Sequence, residues 1–197
     1  NSMDIFNSII IDNEHYINRI FTVNKIHSDI LYNYKLNIPI KQYINYVNSS
    51  LEPISRKSFT NKIVFVGRLS KEKNLLLLYD AFIQVSSIIP LELIIIGDGD
   101  EKYKKNHPNI KYMGYLPQHE IKNIICTCDY LVIPSYTEGL PFTMLEAMGI
   151  GIPCIGSDTN GINEIIQKNN GFLFKLEGYS EHKYTINNWN VYNSVDA

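Results

Sequence analysis

From residue 62 onward, short and nearly continuous apolar runs alternate with stretches in which apolar positions recur every three or four residues. The runs are Lys62–Val66, Leu91–Ile96, Asn109–Met113, Tyr130–Ile133, Ile152–Ile155 and Gly171–Phe174. Their length and their Val/Ile content predict strands buried on both faces. Helical spacing between them predicts helices over Leu75–Val85, His119–Thr127, Pro141–Met148 and Ile162–Gln167. Strands alternating with helices imply right-handed crossovers and an α/β, doubly wound parallel sheet of Rossmann-like type. Ligands of such sheets sit beyond the carboxyl ends of the strands. The polar, glycine-bearing turns fall there: Gly67-Arg68, Gly97-Asp98, Ser135 to Gly139 and Ser157 to Gly161.

The first 58 residues carry a weaker pattern. Arg19–Val23 predicts a strand, Lys25–Tyr34 a helix and Gln42–Val47 another strand, followed by a linker at Asn48–Pro53. This is too little for an independent domain of the same kind. Residues 1–58 are therefore expected to be the tail of a preceding domain with its linker, residues 59–175 the sheet domain, and residues 176–197, with Trp189 and Tyr192, a C-terminal extension.

Composition narrows the partners. The formal charge is −2, from 18 basic and 20 acidic residues with no basic stripe, which argues against nucleic acid. The apolar runs are too short to span a bilayer, and no secretory signal opens the chain, so a cytoplasmic protein is expected. Cys126, Cys128 and Cys154 form neither a disulfide framework nor a zinc spacing, and read as reduced packing residues.

The segment Glu138-Gly-Leu-Pro-Phe-Thr-Met-Leu-Glu146 carries the most chemistry. Pro141 suits a first helical position, so Glu138 lies in a loop and Glu146 inside the helix. The free N–H groups and positive dipole end between them suit an anion. A ligand with phosphates and several hydroxyls fits that arrangement. Arg68, one of three arginines, follows the first sheet strand and can grip two phosphate oxygens with its planar fork. Lys73 adds a point charge five residues on. Taken alone, this segment reads as a solvated loop, and Lys71 and Glu72 are assigned to surface ions. Asp98 and Asp100 fit either a divalent cation or, by preference, a turn lining the pocket. The Ser157–Gly161 loop with Glu164 either closes the pocket or is a loop capped by Asp158 or Asn160 before a helix. No histidine pairs with a nucleophile motif.

Together these blocks resemble the retaining glycosyltransferases of the GT4 family, which have the GT-B fold, over residues 60 to 175. They keep the family's order: Gly67-Arg68 with Lys73, Gly97-Asp-Gly99, Met113-Gly114-Tyr-Leu116, Pro134-Ser135, Glu138-Gly-Leu-Pro to Leu-Glu146-Ala-Met, Gly151-Ile-Pro153, and Asn160-Gly161 to Glu164. The resemblance implies the donor-binding, C-terminal half of a GT-B enzyme that takes a nucleotide-diphosphate sugar, a UDP-sugar above others. Arg68 and Lys73 would hold the diphosphate, and Glu146 the ribose hydroxyls. Glu138, with Gly139 and the amides of Leu140, Phe142 and Thr143, would face the donor sugar and phosphate. The base would lie near Tyr115 and Leu116, with Gly67 and Gly97 at the turns. Arg68, Lys73 and Glu138 are the residues expected in catalysis. Asn160 departs from the family's more frequent pair of glycines, which leaves its role open.

The resemblance further implies no metal and no separate cofactor, an acceptor that is a glycan or lipid, and a role in glycan, capsule or lipopolysaccharide synthesis. Peripheral contact with the inner face of a membrane is the option it leaves for the full-length enzyme. The N-terminal acceptor domain of the family is expected to be missing, so the fragment is expected to have little or no transfer activity. Two other readings stay open: a nucleotide-sugar epimerase of GT-B shape, and a non-catalytic nucleotide-sugar-binding module.

Overall fold

The structure, a computed structural model, describes residues 10–43, 47, 58–167 and 170–176. The chain divides into two compact units, one of residues 46–175 and a smaller one of residues 1–45 and 176–197.

In the smaller unit, strands β1 (Ile20–Thr22) and β2 (Ile40–Gln42) pair in parallel, with Ile20 opposite Ile40. Helix α1 (Lys25–Asn33) joins them, capped by the Asn24 side chain, which accepts from the His27 N–H at 2.9 Å. Ile10, Leu31 and Ile38 form its core. Ile38 is buried and Ile40 packs against the same cluster. The strand expected at Gln42–Val47 falls mostly outside the described residues. Residues 44–46, the expected linker and Trp189 and Tyr192 lie outside the described residues.

The larger unit is built on a parallel sheet of six strands: β3 (Lys62–Val66), β4 (Glu92–Ile96), β5 (Ile110–Gly114), β6 (Tyr130–Ile133), β7 (Cys154–Ser157) and β8 (Gly171–Phe174). Their order is β5-β4-β3-β6-β7-β8, with every pairing parallel. Because side chains alternate across a strand, the apolar runs fill two cores. Val64, Ile94, Ile96, Leu131, Ile133 and Cys154 face one side, under helices α3 (Gln118–Ile125) and α4 (Phe142–Gly149). Phe65, Leu93, Ile95 and Val132 face the other, under helix α2 (Leu75–Ser86).

Helix α2 buries Leu75, Leu78, Tyr79 and Phe82. Each such side chain contributes about 1.5–3 kcal/mol, more than intrinsic helix propensity supplies per residue, so packing holds the helix. The buried Tyr79 hydroxyl meets that of Tyr112 at 3.1 Å; burial and this bond raise its pKa. Cys128 and Cys154 are buried packing residues, and burial pushes the Cys154 thiol up to about 12.

Several element ends lie one or two residues from the sequence reading, and three differences have a clear physical cause. Strand β7 starts two residues later than Ile152, because Pro153 has no N–H for the ladder and Gly156 and Ser157 continue the pairing to β8. Pro141 is the N-cap of α4 rather than its first helical residue. Residues 162–167 form turns, not a helix: Gly161 enters at φ +78°, and the Asn163 and Asn170 side chains bond locally to Asp158 and to the Ile165 carbonyl.

Asp129, just before β6, fastens the entry to β3. Its two carboxylate oxygens accept from the Thr60 N–H at 3.0 Å each, and one accepts from the Lys62 N–H at 3.2 Å. The Thr60 hydroxyl donates to the Thr127 carbonyl at 2.9 Å. Asp129 is buried, so loss of the carboxylate strands two amides. Asp129→Ala is expected to cost about 1.5–3 kcal/mol, with Asp129→Asn costing less. Urea titrations of both variants measure this, and equal stability of wild type and Asp129→Ala would contradict the role.

Candidate functional site

Strand β3 leads into α2 on one face of the sheet and β6 into α4 on the other. These two strands are neighbours, so the strand order reverses between them. Loops after such a pair depart to opposite faces and leave a crevice at the carboxyl end. The β3–β6 ladder covers only Ile63↔Tyr130 and Val64↔Leu131, whereas β3 and β4 pair over all five residues of each strand.

The loops that flank the crevice are tied together. After β3, a 3₁₀ turn at Lys71–Lys73 leads into α2 through Asn74, a buried residue in the left-handed region at φ 51°. From this turn the Glu72 carbonyl accepts from the Tyr136 N–H at 2.9 Å. Lys73 Nζ meets Glu138 Oε1 at 2.7 Å, with the two side chains 21% and 14% exposed. The central positive and negative members of the predicted site are therefore in direct contact.

Arg68 is exposed at the edge of β3. Its charge reaches Glu72, which is half-buried rather than the surface ion expected. Burial opposes ionisation of Glu72, but the polar Ser70 side chain nearby, its own backbone and the charges of Arg68 and Lys73 outweigh it. Its carboxyl is held below the usual range. Two cations and two carboxylates thus balance across the crevice.

Glu138 is the most constrained of the four. Besides Lys73, its Oε1 accepts from Ser135 Oγ at 2.7 Å, and its N–H donates to the Asn160 carbonyl at 3.3 Å. Ser135 has no exposed surface, and its carbonyl accepts from Ser157 Oγ and, at 3.3 Å, from Thr159 Oγ1. Gly161 lies so close under the Glu138 and Gly139 carbonyls that a Cβ there would collide with both. Asn160, left open by the sequence, is buried and supports the Glu138 loop through its main chain.

Leu140 lies just before the N-cap, and Phe142 and Thr143 open α4. Among the described residues, none accepts a hydrogen bond from their N–H groups, as expected at a helix N-terminus. Glu146 lies one turn on and accepts from Gln118 Nε2, on the first residue of α3. Gly97, at φ +129°, packs so tightly on the Gly67 carbonyl that only glycine fits. Tyr115 is 79% exposed and donates its N–H to Asp98 Oδ2 at 3.2 Å, while Leu116 packs against the core.

Every predicted site residue thus lies at the carboxyl edge of the sheet, with Lys73 on Glu138, Arg68 beside Glu72 and Glu146 on Gln118. Sequence reasoning missed Gln118 and the hydroxyls of Ser157 and Thr159, and it gave Ser135 no role. The available signal was their place in the polar turns at the carboxyl ends of β6 and β7, which does not say what each hydroxyl holds.

Asp98 and Asp100 both take part in the turn. Asp98 holds the Tyr115 amide, and Asp100 accepts from the Lys102 N–H at 3.1 Å and pairs with Lys102 Nζ at 2.7 Å. Among the described residues no group of three or more His, Cys, Asp or Glu residues is arranged to hold a metal, and no helix is long and apolar enough to cross a membrane. A cavity of about 480 Å³ lies at the opposite, amino edge, lined by residues such as Tyr130, Met148, Pro153 and Phe172. No charged side chain is among its described lining residues.

Residues 60–183 match the family model described as glycosyl transferases group 1. The chain is 36% identical over 136 residues to the UDP-Gal:alpha-D-GlcNAc-diphosphoundecaprenol alpha-1,3-galactosyltransferase of Escherichia coli, covering 62% of this chain and 34% of that protein. It is 30% identical over 112 residues to the putative teichuronic acid biosynthesis glycosyltransferase TuaC of Bacillus subtilis, covering 57% of this chain and 28% of TuaC. The chain thus spans about a third of the length of these curated relatives. The crystal structure of Anabaena HepE in complex with UDP and glucose superposes with a TM-score of 0.71 at 17% identity, over 89% of this chain and 54% of that one. With a family match over more than half its length, and a reversed strand order that opens a crevice between charged loops, the chain belongs to the group 1 glycosyltransferases.

Proposed function

We propose that residues 46–175 form the donor half of a retaining, GT4-type glycosyltransferase that binds a nucleotide-diphosphate sugar in the β3–β6 crevice. The carrying observation is the contact of Lys73 with Glu138 across that crevice. It brings a phosphate-binding cation and a hydroxyl-binding carboxylate to one point. Arg68 and Lys73 hold the diphosphate, aided by the free amides of Leu140, Phe142 and Thr143 and the dipole of α4. Glu146 accepts from the ribose hydroxyls, with Gln118 fixing its orientation. Glu138 accepts from hydroxyls of the donor sugar, and the base stacks near Tyr115 and Leu116.

Breaking the glycosyl–phosphate bond leaves negative charge on the departing diphosphate. Cations and helix amides already on the diphosphate stabilise that charge as it develops. Two cations and a helix end can do the work of a metal here, so we assign no metal to the reaction. UDP is the preferred carrier: one relative is named for UDP-Gal, and HepE is described with UDP and glucose. The relatives named for teichuronic acid and for a lipid diphosphate support a glycan or lipid acceptor, with work at the inner face of a membrane. Because the chain spans only a third of such relatives, acceptor binding is assigned to sequence beyond these 197 residues.

Three measurements test the reading. Arg68→Ala is expected to weaken UDP and UDP-sugar alike, by about ten- to a hundred-fold, the loss of a hydrogen bond to a charged group. Glu146→Ala is expected to weaken ribose-bearing ligands and leave free pyrophosphate nearly untouched. Calorimetry reads both, and unchanged affinities in the two variants would refute the site. Transfer from UDP-sugars to any acceptor by the 197-residue chain is expected to be negligible; turnover at ordinary enzymatic rates in a radiolabel assay would refute the division of labour.

A further inference from the structure

Glu138 Oε1 accepts from two donors, Lys73 Nζ and Ser135 Oγ, each at 2.7 Å. The two are unequal. Lys73 lies on a flexible four-carbon stem with 21% of its side chain exposed. Ser135 has no exposed surface and sits at the end of β6, its carbonyl held by the hydroxyls of Ser157 and Thr159. A diphosphate carries more negative charge than a carboxylate, so a bound donor draws the mobile ammonium away from Glu138. The carboxylate is then left beside phosphate oxygens of its own sign, which push it out of place. The neutral hydroxyl of Ser135 has no such competing attraction and cannot follow the ligand.

We infer that Ser135 is the positioning residue that keeps Glu138 aimed at the donor sugar once Lys73 has moved to the diphosphate. The inference rests on the donor-site reading above. Ser135 itself touches no ligand; it acts through the carboxylate. Its removal should therefore be felt by the sugar and not by the nucleotide. A merely structural role would weaken both.

The test is calorimetry on the 197-residue chain with UDP, UDP-glucose, UDP-galactose and UDP-N-acetylglucosamine, using the sugar nucleotide that wild type binds tightest. Ser135→Ala is expected to leave the Kd for UDP within about twofold and to raise that for the UDP-sugar about tenfold, as one charged-acceptor hydrogen bond allows. In a Glu138→Ala background the same substitution should add less than about twofold, since the two residues act as one unit. Ser135→Cys, close in volume and a weak donor, should show the selective loss in reduced form and serves if the alanine variant does not fold. Equal weakening of UDP and UDP-sugar, an unchanged ratio between them, or losses that add fully in the double variant would each overturn the role of Ser135. Wild-type protein that binds neither UDP nor any of the three sugars would instead overturn the donor-site reading itself.

Discussion

The site depends on one constraint of chain geometry. Two adjacent parallel strands whose successors lie in opposite directions cannot both close over the gap between them. In this chain β3 and β6 are that pair, and their ladder stops at Val64 and Leu131. Everything chemical follows from what the two departing loops carry. One brings Arg68, Glu72 and Lys73, and the other brings Ser135, Glu138 and the N-terminus of α4. Apolar strands buried on both faces make the gap a fixed feature, because neither strand can shift register without exposing a core face.

Within the gap, charge is balanced and polar atoms are held by one another. The Lys73–Glu138 contact neutralises two partly buried groups that would each be costly alone. Behind it stands a layer of buried hydroxyls, Ser135, Ser157 and Thr159, drawn from the ends of β6 and β7. That layer fixes direction rather than charge. A carboxylate whose orientation is set before ligand arrives has less ordering entropy to lose on binding.

Much of the fold was legible in the chain, because parallel strands buried on both faces leave uninterrupted apolar runs and each of the six runs corresponds to a strand. The pattern also singled out Arg68 and Glu138 in loops after strands, Lys73 in the turn before α2 and Glu146 within α4, but the Lys73–Glu138 contact is visible only in the fold. Periodicity failed where side chains bond locally: Asn163 and Asn170 unmake the expected helix after Gly161. The hydroxyl layer was invisible because a serine after a strand has no periodic signature, and only the fold shows that Ser135 faces Glu138. Glu72 was misread although Arg68, Ser70 and Lys73 are close to it in sequence, because a short charged turn after a strand reads as solvated.

Asp129 ties the foot of β6 to the foot of β3 through Thr60 and Lys62. The same two strands carry the crevice at their other ends. They therefore behave like a pair of tongs riveted at the base, whose gap at the tips is set by a joint that no ligand touches. Grip and hinge belong to one piece of backbone, and a change at the rivet is transmitted to the jaws along two strands with little slack.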